Sequence, residues 1–343
     1  MTFRKKIYLL SGIAAGLVLV YILSFVLDPE RRVEREAYYS WLDPADIENI
    51  TEITIINPKL YEDGDIPISL KKINGSWFAS DDETYFPAYQ EFIDNFIFTL
   101  SERNKYEIRS SSASYHEQLF LNEELAVKVN VMAENMPVLQ MLFGKKDNTE
   151  KNIFMRLHNQ NEIRIGEDRF SVFIDSFIES WYDLRFFPEK FAGKFDESTV
   201  QRITVKLPKE LIKDGEEGLQ IFSRRDDEWD LNFEIGEIER ERMERYVRII
   251  LDAVGGTFTD SVSTDDPLFD YSSIEIQFGF PSEIKQISIG PLNEYGVYFA
   301  TVSGSDFVYV LPQWIYSMLF RTNEYFDVSY DVSQQRFFND LND

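Results

Sequence analysis

The chain has 343 residues, 44% of them apolar and 15% aromatic, enough to bury one large core or two ordinary ones. Lys and Arg number 35 against 60 Asp and Glu, and the formal net charge of -25 repels polyphosphate backbones, which argues against a nucleic-acid partner. Cysteine is absent, so disulfides, thiolate nucleophiles, Cys-ligated zinc and iron-sulfur clusters are excluded, and only His116 and His158 remain for imidazole chemistry.

The first predicted element is "IYLLSGIAAGLVLVYILSFVL", Ile7 to Leu27, a run of 21 residues without a charge. As a helix it would extend about 31 Å, the thickness of a bilayer core. Arg4, Lys5 and Lys6 precede it as the n-region of a cleaved signal peptide would. The run is longer than a usual h-region, however, and "SFVLDPE" offers no small-x-small cleavage pair. The expectation is an uncleaved signal-anchor that contacts the lipid bilayer through Ile7 to Leu27. A short tail (residues 1-6) stays inside, and the bulk of the chain lies outside an inner membrane crossed once. Behind it, Asp28 as N-cap, Pro29 at the first helical position and a stop at Asp43-Pro44 predict a helical stalk over 28-46.

From residue 47 the chain states one series of segments twice. "ITEITI" matches "VQRITV", an alternation of strand type with Ile53 aligned to Ile203 at an offset of 150. "LKKINGSWFAS" matches "FSRRDDEWDLN", hairpins that deliver Trp77 and Trp229 to a second strand. The helical patterns "PAYQEFIDNFIFTLSER" and "EIERERMERYVRIILDAV" follow, each apolar on one face. Then Leu119-Phe120 aligns with Leu268-Phe269, "LQMLFG" ending at Gly144 with "KQISIG" ending at Gly290, and "NIFMRL" with "GVYFAT". Finally "FIESWYDLRF" aligns with "VLPQWIYSMLF", Trp181 with Trp314 at an offset of 133.

The same order of segments predicts two tandem repeats, 47-192 and 193-327, followed by a polar tail at 328-343. Each repeat reads as α+β, a mainly antiparallel sheet with one long helix and a short terminal helix. Trp77, Trp229, Trp181 and Trp314 are the expected repeat-core aromatics. Asp183 and Arg185 have no counterpart in "WIYSMLF", which makes them candidates for a contact that braces one repeat against the next.

Catalytic constellations are not found. The Gly-Lys pair of "LFGKKDN" lacks the upstream glycine of a phosphate-binding loop, and the two histidines sit in separate segments with no partner at ligand spacing. Acidic pairs at Glu62 to Asp65, Asp81 to Glu83, Asp226 to Glu228 and Asp265-Asp266 lack calcium-loop spacing and fall in predicted turns. No metal, cofactor or catalytic residue is therefore expected.

The succession of an N-terminal anchor, an "ITEITI" strand, "GSW" in a hairpin, a helix, a strand pair closing with "LFG", "NIFMRL" and "SWYDLRF" resembles the bacterial family called domain of unknown function 4340. The resemblance covers roughly residues 47 to 327. It implies a membrane-anchored extracytoplasmic protein of a family without an established activity, often encoded beside ABC transporters of the gliding-motility type; with the anchor, the duplication and the lack of chemical groups, the expectation is a non-enzymatic accessory or scaffold subunit of such a transport system. ABC-type transporter subunits are thus its expected partners. The second copy departs from the pattern in lacking the Asp and Arg of "WYDLR". The alternative is an extracytoplasmic glycan- or lipid-binding module or hydrolase working through acidic residues.

Overall fold

The computed structural model describes residues 16-21, 37-60, 66-213, 217-225, 228-279 and 282-330. Strand-type alternation dominates it. The strands are β1 (Tyr38–Tyr39), β2 (Ile50–Ile56), β3 (Pro67–Ile73), β4 (Ser76–Ser80), β5 (Phe86–Pro87), β6 (Asn104–Ser110), β7 (Val127–Ala133), β8 (Met136–Lys146), β9 (Asn152–Leu157) and β10 (Ile163–Glu167). Then follow β11 (Val200–Lys206), β12 (Leu219–Arg225), β13 (Glu228–Leu231), β14 (Thr257–Thr259), β15 (Ser272–Phe278), β16 (Glu283–Ile289), β17 (Tyr298–Val302) and β18 (Val308–Leu311). Among the described residues, the α-helices of seven residues or more are α1 (Gln90–Ser101), α2 (Arg240–Leu251) and α3 (Gln313–Leu319).

Two compact units emerge, one within Met1–Lys72 and Glu91–Ser176, the other within Ile73–Gln90 and Phe177–Asp343. In the first, the strands lie in the order β1-β6-β10-β9-β8-β7-β2-β3. In the second, a sheet runs β13-β12-β11-β15-β16-β17-β18-β14. Seven strands follow the same succession in each, β3-β2-β7-β8-β9-β10-β6 and β12-β11-β15-β16-β17-β18-β14. The registers agree as well. Ile53 pairs across to Val131 and Leu70, as Ile203 does to Ile276 and Phe222. A bulge interrupts each central ladder at the same place, between Ile50 and Glu52 in one and between Val200 and Arg202 in the other.

These sheets form because apolar residues fall on every second position. In β7 the buried Val127, Val129, Val131 and Ala133 alternate with half-exposed side chains, and in β15 Ser272, Ile274, Ile276 and Phe278 do the same. Between β3 and β4 the chain reverses through Asn74-Gly75 at positive φ of 52° and 89°, the conformation that a two-residue hairpin with right-handed twist requires.

The α+β reading with one long helix per repeat is corrected: the molecule is two large antiparallel sheets with few, short helices. α1 and α2 have 12 residues each, about 18 Å, too short to cover sheets whose strands stand about 4.8 Å apart. The helical patterns overran because their ends are claimed elsewhere. Pro87 pairs with Phe78 in β5 ahead of α1, and Glu239 caps α2 by accepting the N–H groups of Glu241 and Arg242.

The membrane assignment is also corrected. No helix among the described residues is long and apolar enough to cross a membrane. Within Ile7 to Leu27 the described part is helical over residues 16-21, and the remainder lies outside the described residues. The single-pass inner-membrane location is therefore withdrawn. Of the expected helical stalk, residues 28-36 lie outside the described residues, while Tyr38–Tyr39 is strand and Pro44–Asn49 a 3-10 helix. Of the polar tail, residues 331-343 likewise lie outside.

Two glycines hold equivalent positions. A Cβ on Gly144 at the end of β8 would stand 2.2 Å from the Leu119 carbonyl oxygen, and one on Gly290 after β16 would stand 2.3 Å from Leu268 Cδ1. The first obstacle is backbone, the second the movable end of a side chain. Gly144→Ala should therefore cost about 3 kcal/mol and Gly290→Ala about 1 kcal/mol. Denaturant unfolding of the two variants checks this; equal or inverted losses would contradict it.

Candidate functional site

The strongest candidate lies in the second unit, where α2 and α3 flank a groove of about 370 Å³. In "RERMERYVRIIL" the buried face of α2 carries Met243, Tyr246, Val247, Ile250 and Leu251, which leaves Arg245 and Arg248 outward, one turn apart. α3 buries Ile315, Tyr316 and Leu319 and turns Trp314 toward solvent, with Met318 half-buried beside the groove. Between these edges the lining is Ile249, Ala253, Val254, Ile315 and Leu319. The groove thus has an apolar floor with a tryptophan on one wall and guanidinium groups on the other.

Buried polar contacts hold the two helices. The Tyr246 hydroxyl donates to the Leu319 carbonyl at 2.8 Å, using one of the acceptors that a helix end leaves open. On the far side of α3, the rings of Tyr316 and Tyr298 stack with centroids 3.7 Å apart and planes 7° from parallel. The hydroxyls of Tyr316, at 3.2 Å, and of Tyr271 both donate to the Glu210 carboxylate. Burial raises the phenol pKa of Tyr316, Tyr271 and Tyr246, and pushes those of Tyr298 and Tyr309 up to about 12.

The "SWYDLRF" stretch supports one end of the groove. The Phe186 N–H donates to the Ala253 carbonyl at 3.0 Å, the Gly255 N–H to the Leu184 carbonyl at 2.8 Å, and Arg185 bridges Val254. Arg185 itself is fully engaged. Its Nε and Nη2 each reach the Asp183 carboxylate at 2.6 Å, and its guanidinium lies over the rings of Tyr89 and Phe191 at 4.9 and 4.8 Å. Upstream, the Tyr89 N–H donates to the Trp181 carbonyl at 2.7 Å and the Asp183 N–H to the Pro87 carbonyl at 2.8 Å. Asp183 and Arg185 therefore fix the segment that carries Val254.

Among the expected core aromatics, Trp77 and Trp229 are each 5% exposed and Trp181 is fully buried. Trp314 is a correction: it is 57% exposed. The alignment with Trp181 fails physically there, because Trp181 ends a 3-10 turn whereas Trp314 stands on the outer face of a genuine helix.

The remaining candidates sit in turns or strands. His158 pairs with Glu123 at 2.9 Å, and His116 faces the Asn161 carbonyl at 3.4 Å. Asp82 and Asp266 each accept a nearby backbone N–H, from Thr84 and Leu268, while burial raises the pKa of Asp81. Glu62 to Asp65 and Asp226-Asp227 lie outside the described residues, and Glu228 begins β13. Among the described residues no group of three or more His, Asp or Glu side chains could hold a metal ion.

Arg245 and Arg248 went unnoticed in the sequence, and Val254, read there as part of the buried helical face, is 37% exposed. The available signal was the pair of arginines in "RYVR" on the outward face of an otherwise amphipathic helix. Among the described residues neither guanidinium has a carboxylate within ion-pair distance, whereas Asp252 at the groove's end is held by Lys190. Chemically, the groove suits binding of an apolar group with negative charge beside it.

No protein-family model matches the chain. An uncharacterized protein of Treponema pallidum (strain Nichols) is 22% identical over 160 residues, a stretch covering 46% of this chain and 51% of that protein. The chain thus spans about half the length of the curated relative it matches. No solved structure matches.

The tyrosines around α3 make stability depend on alkaline pH. A phenol whose folded pKa exceeds its ordinary value of about 10 holds its proton more tightly when folded. Its contribution is complete below pH about 10 and is lost as pH rises through about 12. Urea unfolding between those limits should show a falling midpoint, and the fall should shrink in Tyr298→Phe, which keeps the stack without the titrating proton. A midpoint flat across that window would contradict the assignment.

Proposed function

We infer that this protein is a non-enzymatic interaction module that docks a partner protein on the α2–α3 groove. The observation that carries the reading is the exposed Trp314 across an apolar floor from Arg245 and Arg248, the combination of aromatic and arginine anchors found at binding hot spots. In a chain of net charge -25, unneutralised arginines at the rim also favour an acidic partner. The family resemblance makes subunits of an ABC-type, gliding-motility-like transport system the first partner class to test.

Co-purification of the tagged chain from its native cells, with recovered subunits quantified by mass spectrometry, tests this reading. Trp314→Ala and the Arg245→Glu/Arg248→Glu pair should each reduce recovery of transport subunits on the order of tenfold, with folding intact because all three side chains are exposed. Recovery equal to that of the unaltered chain, or no transport subunit above background, would sink it.

A further inference from the structure

The backbone around the groove restricts what can enter it. Its long walls are side chains of α2 and α3, whose interior N–H and C=O groups are spent within each helix. At the end near Val254, the Ala253 carbonyl already accepts from Phe186 and the Gly255 N–H already donates to Leu184. An extended segment would find at most the N–H and C=O of Val254 to pair with, and would carry its other peptide groups bare onto an apolar floor at a cost of about 1-3 kcal/mol for each one buried. A segment that satisfies its own backbone avoids that cost.

Charge narrows the occupant further. Arg245 and Arg248 stand one turn apart on α2, and among the described residues neither has a carboxylate partner. Carboxylates three or four residues apart on an entering helix present the matching spacing, about 5-6 Å between neighbouring side chains. Opposite them, Trp314 and Met318 line the groove with apolar surface.

Resting on the docking reading above, we propose that the partner element is an amphipathic helix, with a large apolar side chain on the floor beside Trp314 and two carboxylates one turn apart facing Arg245 and Arg248. The recognition mode is helix-in-groove, with α2 and α3 as walls and the Arg185-braced segment as the end stop.

The test uses the whole purified chain and a fluorescently labelled, end-blocked synthetic helix. One face of the peptide carries Leu and Phe, and Glu repeats every four residues on the neighbouring face. Binding is read by anisotropy. The Glu-to-Gln form of the peptide, and separately Arg245→Gln with Arg248→Gln in the protein, should each weaken binding on the order of tenfold, and added salt should weaken only the charged pair. Helix content of the peptide should rise on binding.

Equal affinity for the Glu and Gln peptides would overturn the charge assignment, and a peptide bound without gain of helix would overturn the helical one. Displacement by dodecanoate at lower concentration than by the peptide would assign the groove to an amphiphilic small anion instead. A rise in apparent mass that competes with the peptide would assign it to a second copy of the chain. Each of these outcomes can occur while the cell co-purification still depends on Trp314, so failure of the partner chemistry and failure of the docking reading are separable.

Discussion

The hydrogen bond from the Tyr246 hydroxyl to the Leu319 carbonyl, shut away from water at 2.8 Å, sets the spacing of α2 and α3. A buried phenol without a partner would cost about 1-3 kcal/mol, so the contact ties the last turn of α3 to one position along α2. The stacked Tyr298 and Tyr316 rings, with Glu210 accepting from Tyr316 and Tyr271, hold α3 from its other side. Trp314 can therefore remain outward without α3 rolling to bury it. The bidentate Asp183-Arg185 pair acts in the same sense at the groove's end, where its segment supports Ala253 to Gly255.

A rigid surface is the precondition for binding through few contacts, because each side chain already held in place saves the entropy of ordering it. The polar economy of this unit follows that logic. Arg185 and Arg242 are saturated by carboxylate, carbonyl and ring partners, and Lys190 is taken up by Glu197 and Asp252. Arg245 and Arg248 are left to the solvent, in a chain whose overall charge would draw a carboxylate to them if one stood close enough. They share the groove with an apolar floor and the exposed Trp314.

Much of the local structure was legible in the sequence. The alternation of "ITEITI" and "VQRITV" lies in β2 and β11, and the glycines closing "LFG" and "SIG" sit where a Cβ would strike Leu119 or Leu268. What was not legible depended on competition between neighbours. Pro87 joined a strand rather than the helix after it, and Trp314 took an outer helical position although its alignment partner Trp181 is buried. The groove joins Arg245 and Arg248 to a tryptophan more than sixty residues further on, and only tertiary packing brings them together.

The docking claim is tested most directly by a photo-crosslinker at its centre. Trp314→p-benzoylphenylalanine, irradiated in cells, should yield a discrete heavier species whose partner peptide is acidic and apolar, while the same probe at the exposed Phe98 of the other unit should not. No crosslink from position 314, or the same products from both positions, would contradict the groove as the docking site.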